Sequence, residues 1–232
     1  MRFDKELAEG VIISRPNRFI MMVDIGGKVE KCHCPSTGRI GDIEFDHVPG
    51  LLSEHDYNGR KTRYTVEAIS VDDKKSWIGI NQNRANDYVA FFLEKGMLPK
   101  LVKKGKIERE KKIGDSRIDF VVGNTYIEVK TPLISLPSGS APIKRRRHGS
   151  FSSFDRLIKH FNALSSRDNG IILLCYMYDA EPFKAPPPDR SNRRIMQAAR
   201  SASRRGVERW QINLRIDKKG VRLIRYFKLK PS

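Results

Sequence analysis

No stretch of this sequence is long and apolar enough to span a bilayer. A membrane helix takes about 20 largely apolar residues, and the longest apolar run, residues 171–178, stops at Asp179. The opening MRFDKELAEG has no apolar segment of the kind a secretory signal needs, so the sequence predicts a cytoplasmic protein with no membrane partner. Cysteine is scarce as well. Three thiols cannot all pair with one another, which fits a reducing compartment. Cys32-His33-Cys34 lacks the second ligand pair of a zinc site. On a strand its two cysteines point to one side as small buried residues and His33 to the other. No internal repeat is present.

Acidic residues are the next shortage, and it is local. Residues 1–99 hold 14 Lys and Arg against 15 Asp and Glu, a net of −1; residues 100–232 hold 31 against 12, a net of +19. A polyanion explains this split best, because basic side chains displace the counterions condensed on a phosphate backbone. No basic amphipathic helix with an aromatic face stands out, which argues against an anionic membrane surface. A solvated, solubilising face is the plainer alternative.

The first 80 or so residues read as β-rich. Runs at 10–14, 19–25, 28–33, 63–71 and 77–79 carry β-branched or aromatic residues between turn signals such as Gly26-Gly27 and Asp72-Asp73. Short strands at this spacing predict a small barrel. A helix opens at Asn86 and closes near Gly96, and the boundary falls at 82–84, giving domains 1–82 and 83–232. The second is mixed α/β: strands at 116–122 and 125–130, helix 151–164, a buried strand at 171–178, helix 191–205, and a hairpin of 209–216 with 221–229. Residues 131–150, rich in Pro, Ser and Gly and closing on Lys144-Arg145-Arg146-Arg147, read as a long mobile loop over the neighbouring strand end.

The chemistry centres on GDSRIDFVVGNTYIEVK, which contains Asp119, Glu128 and Lys130. That spacing alone arises often by chance; the context adds more. Gly123-Asn124 is a two-residue hairpin signal. It sets Val122 opposite Thr125, Phe120 opposite Ile127, Asp119 opposite Glu128 and Arg117 opposite Lys130. Alternation then gathers Asp119, Glu128, Arg117 and Lys130 on one face, and Ile118, Phe120, Val122, Ile127 and Val129 on the core face. Two carboxylates about 5 Å apart repel, and a divalent cation between them relieves it. Carboxylates suit Mg²⁺ or Mn²⁺, which keep waters and accept phosphate oxygens. Lys130 then stabilises developing charge, and Arg117 holds an adjacent phosphate. The alternative is structural: two salt bridges, Asp119–Lys130 and Glu128–Arg117, on a solvated sheet face.

The segments Ser116-Arg117-Ile118-Asp119-Phe120 and Glu128-Val129-Lys130 resemble the sugar fermentation stimulation protein A family. The likeness extends through Arg15-Pro16-Asn17-Arg18-Phe19, Cys32-His33-Cys34-Pro35-Ser36-Thr37-Gly38-Arg39, Val48-Pro49-Gly50, Tyr64-Thr65-Val66 and Trp77-Ile78-Gly79-Ile80-Asn81. The resemblance implies an α+β or α/β chain. An OB-type β-barrel comes first, followed by a mixed-sheet domain like restriction-type PD-(D/E)xK nucleases. It further implies nucleic-acid binding and a metal site at Asp119 and Glu128 beside Lys130. Two departures stand out. The family's acidic pair on the helix after Asn86 is replaced here by Ala90-Phe91, which leaves Glu94 or Glu110 as candidate third acid. Its Arg-Gly-x-Lys-His-Leu motif appears only as Arg147-His148-Gly149 and then Arg156 and Lys159-His160, out of register.

On the barrel, Arg15, Arg18 and Arg39 are candidates for phosphate contact, and Phe19 or Tyr64 for base stacking. Barrel core is the competing role for both aromatics. Function is read as a Mg²⁺-dependent endonuclease on DNA or RNA, DNA foremost. The alternatives are a DNA-binding regulator with the same fold and no relevant cleavage, and a basic RNA- or ribosome-associated protein. Oligomeric state is not legible.

Overall fold

Strand β1 (Ala8–Asn17) runs antiparallel to β2 (Ile20–Ile25) on one side and β4 (Val48–Glu54) on the other. Gly26 and Gly27, at φ +64° and +88°, turn β2 back into β3 (Lys28–His33); left-handed φ is free of steric cost only for glycine. Strand β4 pairs with β5 (Tyr64–Ile69), and β5 closes on β3 in parallel through Cys32↔Tyr64 and His33↔Thr65. The order β1-β2-β3-β5-β4-β1 is that of a five-stranded OB-type barrel. Its interior holds Ile12, Met21, Val23, Leu52 and Val66 together with Cys32 and Cys34, as the alternation required. The computed structural model of this chain describes residues 1–36, 40–41, 43–56, 59, 61–133, 136, 154–187, 189–190 and 192–230. No helix among the described residues is long and apolar enough to cross a membrane.

A two-residue strand β6 (Ile78–Gly79) extends the barrel sheet beside β5, and a 3₁₀ turn (Gln82–Arg84) then leads into helix α1 (Ala85–Glu94). Tyr88, Val89, Phe92 and Leu93 bury one side of α1. The second sheet has strand order β12-β11-β10-β9-β8-β7. Its members are β7 (Ile107–Ile113), β8 (Ser116–Val122), β9 (Thr125–Lys130), β10 (Gly170–Tyr176), β11 (Glu208–Asp217) and β12 (Gly220–Lys228). Strands β9, β10 and β11 are parallel, with helix α2 (Phe154–Ser165) between the first two and α3 (Arg193–Arg204) between the second. The outer pairs are antiparallel. One face of this sheet packs Phe120, Ile127, Leu173 and Ile212 against α1. The other packs Ile118, Ile172 and Val207 against α2 and α3.

Two strands lie outside the sequence expectation. Strand β4 contains Pro49-Gly50, which reads as a turn, and β7 is mostly Lys, Arg and Glu on an edge. Edge strands accept such residues because only one side of the ladder is paired.

Candidate active site

The hairpin of β8 and β9 begins as its turn dictates, with Val122↔Thr125, Val121↔Tyr126 and Phe120↔Ile127. Beyond Phe120 the pairing stops. In a regular ladder the N–H of Val129 would meet the carbonyl of Ile118; it donates instead to Asp119 Oδ2 at 2.7 Å. The ladder from β7 is interrupted at the same level: pairing runs to Arg109↔Phe120 and resumes at Lys111↔Ile118. Glu110 lies between at φ +54°. Left-handed φ in a non-glycine residue costs on the order of 1 kcal/mol or more, so this is a local kink rather than a relaxed strand. Its consequence is a change of face. Ile118 packs with Phe161 and Leu164 of α2, not with Phe120 and Val122 as strict alternation expects.

The opening in the ladder gives the two acids different supports. Asp119 Oδ1 accepts a 2.8 Å hydrogen bond from Asn86 Nδ2 at the start of α1. Glu128, 2% exposed, turns toward α2, where its Oε1 takes Nζ of Lys130 at 2.5 Å and Nδ1 of His160. That ring nitrogen also lies 3.1 Å from Lys130 Nζ. Glu128 Oε2 is buried with no hydrogen-bond partner among the described residues. Burial, then the negative charge of Glu128, raise the Asp119 carboxyl above its ordinary pKa, against the pull of the Val129 and Asn86 donors. Burial also pushes Glu128 up, but His160 and Lys130 together bring it below the usual carboxylate value. The pair therefore consists of a carboxylate secured by Lys130 and His160 and a neighbour that resists carrying charge.

Lys130 joins Glu128 as the hairpin predicted. Arg117 does not: it is exposed and lies 3.9 Å from Glu110, because the kink at Asp119 turns it away. Nor does either anticipated third acid reach the pair. Glu110 faces Arg117, and Glu94 is exposed at the far end of α1, eight residues and about 12 Å of helix from Asn86. The place facing Asp119 on α1 belongs to an amide. Among the described residues no group of three or more His, Cys, Asp or Glu side chains gathers as a metal ligand set.

Asn86 and His160 are the contributors that sequence reasoning passed over as site residues. The signal for His160 was Lys159-His160 on an amphipathic helix; that for Asn86 was only its position at a helix start.

On the barrel, Arg15 is committed to structure, donating to the carbonyls of Arg18 at 3.0 Å and Ser36 at 2.6 Å. Arg18 stacks over Phe19 with its guanidinium 4.8 Å from the ring centroid. Phe19 is 44% exposed and so is not core, whereas Tyr64 is partly buried against the barrel interior. Arg39 and the run Lys144, Arg145, Arg146 and Arg147 lie outside the described residues. Part of the basic excess has a defined place: Arg193, Arg200 and Arg204 lie exposed along α3 at helical spacing, with Gln197 between them.

Comparison with known proteins matches these features. The SfsA N-terminal OB domain matches residues 13–80. A sugar fermentation stimulation protein homolog of Synechococcus sp. (strain JA-2-3B'a(2-13)) is 30% identical over 231 residues, covering 95% of this chain and 92% of the relative. The homolog of Clostridium kluyveri (strain NBRC 12016) is 30% identical over 222 residues, 90% of each. Among solved structures, Pyrococcus furiosus SfsA in complex with Ca²⁺ superposes with a TM-score of 0.74 at 20% identity, over 99% of this chain and 96% of that one. At that identity the superposition establishes the fold. Barrel, mixed sheet and sequence agreement along nearly the whole length converge: this chain belongs to the sugar fermentation stimulation protein family.

Proposed function

We propose that this protein binds nucleic acid and cuts its phosphodiester backbone with a divalent metal, in the manner of PD-(D/E)xK endonucleases. Asp119 and Glu128 are the residues that hold Mg²⁺ or Mn²⁺, and the ion supplies phosphate polarisation and a more acidic water. The observation that carries the reading is Glu128 Oε2, a buried carboxylate oxygen with no donor among the described residues, beside a second carboxylate. An unmet buried acceptor costs about 1–3 kcal/mol, more when charged, and a hard cation is the group that fits two acids. Two protein ligands suit Mg²⁺, which keeps several waters and takes substrate phosphate. The Ca²⁺ complex of the Pyrococcus furiosus protein supports a divalent ion on this fold.

The chain's own groups have distinct tasks. Asn86 and the Val129 N–H fix the Asp119 carboxylate from two directions. His160 orients Glu128, and Lys130, about a quarter exposed, presents its ammonium to a phosphate entering from outside. The arginines along α3 and the basic second half supply the sequence-independent attraction for DNA or RNA. All three thiols are free and buried, which supports a reducing cytoplasmic setting.

Cleavage of labelled DNA and RNA in Mg²⁺ or Mn²⁺ and in EDTA tests the proposal. Cutting should require metal, and Lys130→Ala should slow it by roughly 10²–10³ with a smaller change in affinity. Metal-independent cutting, or an Asp119→Ala variant as active as the parent, defeats it. A second reading has its own support: the place facing Asp119 on α1 holds the neutral Asn86. A nucleic-acid-binding regulator without relevant cleavage then binds equally in EDTA and cuts nothing.

A further inference from the structure

The segments that carry the family likeness on the barrel are not used by the carboxylate site. Four of the five, through Phe19, His33 with Pro35, Thr65, and Asn81, converge elsewhere, on a cleft of about 730 Å³ in the barrel flank. Phe19, His33, His55, Lys61, Thr65 and Arg84 are among its walls. Its floor is a fixed polar cluster. Glu67, 3% exposed, accepts from Ser53 Oγ at 2.6 Å through Oε1 and from Asn81 Nδ2 at 2.8 Å through Oε2. His55 Nε2 lies 3.1 Å from Ser53 Oγ and 3.0 Å from Thr65 Oγ1. A second hollow of about 500 Å³ shares His55, Glu67 and Arg84 with the first, so the same cluster borders both.

Three features identify what this cleft fits. Phe19 at the rim exposes 44% of its surface with Arg18 stacked on it, a flat amphipathic platform that costs little to present and gains by covering a planar ring. Lys61 and Arg84 add positive charge on walls that also offer imidazole, hydroxyl and amide groups, the mixture that meets base edges and phosphate together. The position of Arg84 links the cleft to the acids: it directly precedes α1, and two residues later Asn86 touches Asp119. A strand lying in the cleft is thereby led along the start of α1 to the carboxylates. Bases of a duplex are stacked on one another and cannot lie on Phe19; only an unpaired strand presents a free ring face.

We propose that the barrel cleft holds an unpaired tail of the nucleic acid presented to Asp119 and Glu128, so that the substrate is single-stranded or carries a single-stranded extension. This rests on the proposed function for the role of the acids, but the cleft is tested without cleavage. Fluorescence anisotropy in EDTA would compare short oligothymidylate and oligouridylate with a blunt DNA duplex. The proteins are the parent, a Phe19→Ala, Lys61→Ala double variant and Phe19→Trp. Stacking on one aromatic and one cation predicts a loss of about tenfold or more for single strands in the double variant. The duplex should be much less affected, and Phe19→Trp should bind single strands at least as well as the parent. The two oligonucleotides decide whether DNA or RNA is preferred. Equal losses for duplex and single strand, or no loss for either, overturn the cleft. If instead no substrate is ever cut while selective loss persists, the metal reading fails and the cleft stands. Cutting that ignores both tail and double variant leaves the acids in place and removes the cleft.

Discussion

Asp119 and Glu128 are neighbours with opposite electrostatic circumstances, and substitution should separate them. Glu128 sits between Lys130 and His160, with both groups on one oxygen. Among the described residues Asp119 accepts from the neutral donors Asn86 and Val129, and it feels Glu128's charge. Asp119→Asn relieves that repulsion, and the new amide can still accept from Val129 while Asn86 rotates to meet its NH₂. Glu128→Gln keeps the shape but leaves the Lys130 ammonium against a neutral amide, at a cost of roughly 1–3 kcal/mol. In chelator, Asp119→Asn should therefore melt above the parent and Glu128→Gln below it. With Mg²⁺ or Mn²⁺ the parent should gain stability by ligand linkage, and both variants should lose that gain. Thermal melts with and without metal decide it; two variants shifted in the same direction in chelator would contradict this account of the pair.

At the scale of elements, α3 is where the charge of the second half takes a regular form. Arg193, Arg200 and Arg204 recur seven and four residues apart on its exposed side, a row about 16 Å long at 1.5 Å rise per residue. Replacing the three with Gln preserves the helix and should lower the slope of log affinity against log salt by up to about 0.7–0.9 per lost phosphate contact. Titration at several salt concentrations reads this directly, and an unchanged slope would make the row a solvated face. The same scale shows what the sequence could tell. Strands β8 and β9 were legible to the residue, because apolar alternation and Gly123-Asn124 agree. The face of Ile118 and Arg117 was not, since it depends on the left-handed Glu110 in β7, a strand whose Glu, Arg and Lys give no apolar signal. Asn86 was equally hidden: its partner is 33 residues away, and only the packing of α1 on the sheet brings it to Asp119.

Across the whole molecule, the change of charge and composition at 82–84 does not coincide with a break in packing. Met1 exchanges hydrogen bonds with Val221, its ammonium donating to the carbonyl at 2.7 Å and its carbonyl accepting at 2.8 Å. Phe3 and Leu7 donate to Lys219 and Lys218 in the turn between β11 and β12. The chain's first residues thus belong to the second sheet's edge. The cores are shared too. Tyr176, Tyr178 and Leu133 pack among barrel residues, while Leu51 and Ala68 of the barrel pack with α1 and the second sheet. Gly79 marks one close approach: a Cβ there would meet Ile216 Cδ1 at 2.4 Å and Met177 Cβ at 2.5 Å. A chain beginning at residue 83 would keep all of the net positive charge but uncover Tyr176, Met177 and Tyr178, each buried in the intact protein. Burial of one such side chain is worth about 1.5–3 kcal/mol, and a domain has only about 5–15 kcal/mol in hand. The 83–232 fragment should therefore melt well below the full chain, or lose cooperative melting and bind a hydrophobic dye. Weak nucleic-acid binding by it would then report lost structure, not a missing contact surface, so salt-dependence studies belong on the full chain. Cooperative unfolding of that fragment within a few degrees of the intact protein would show that the shared core contributes little and that the two halves are independent.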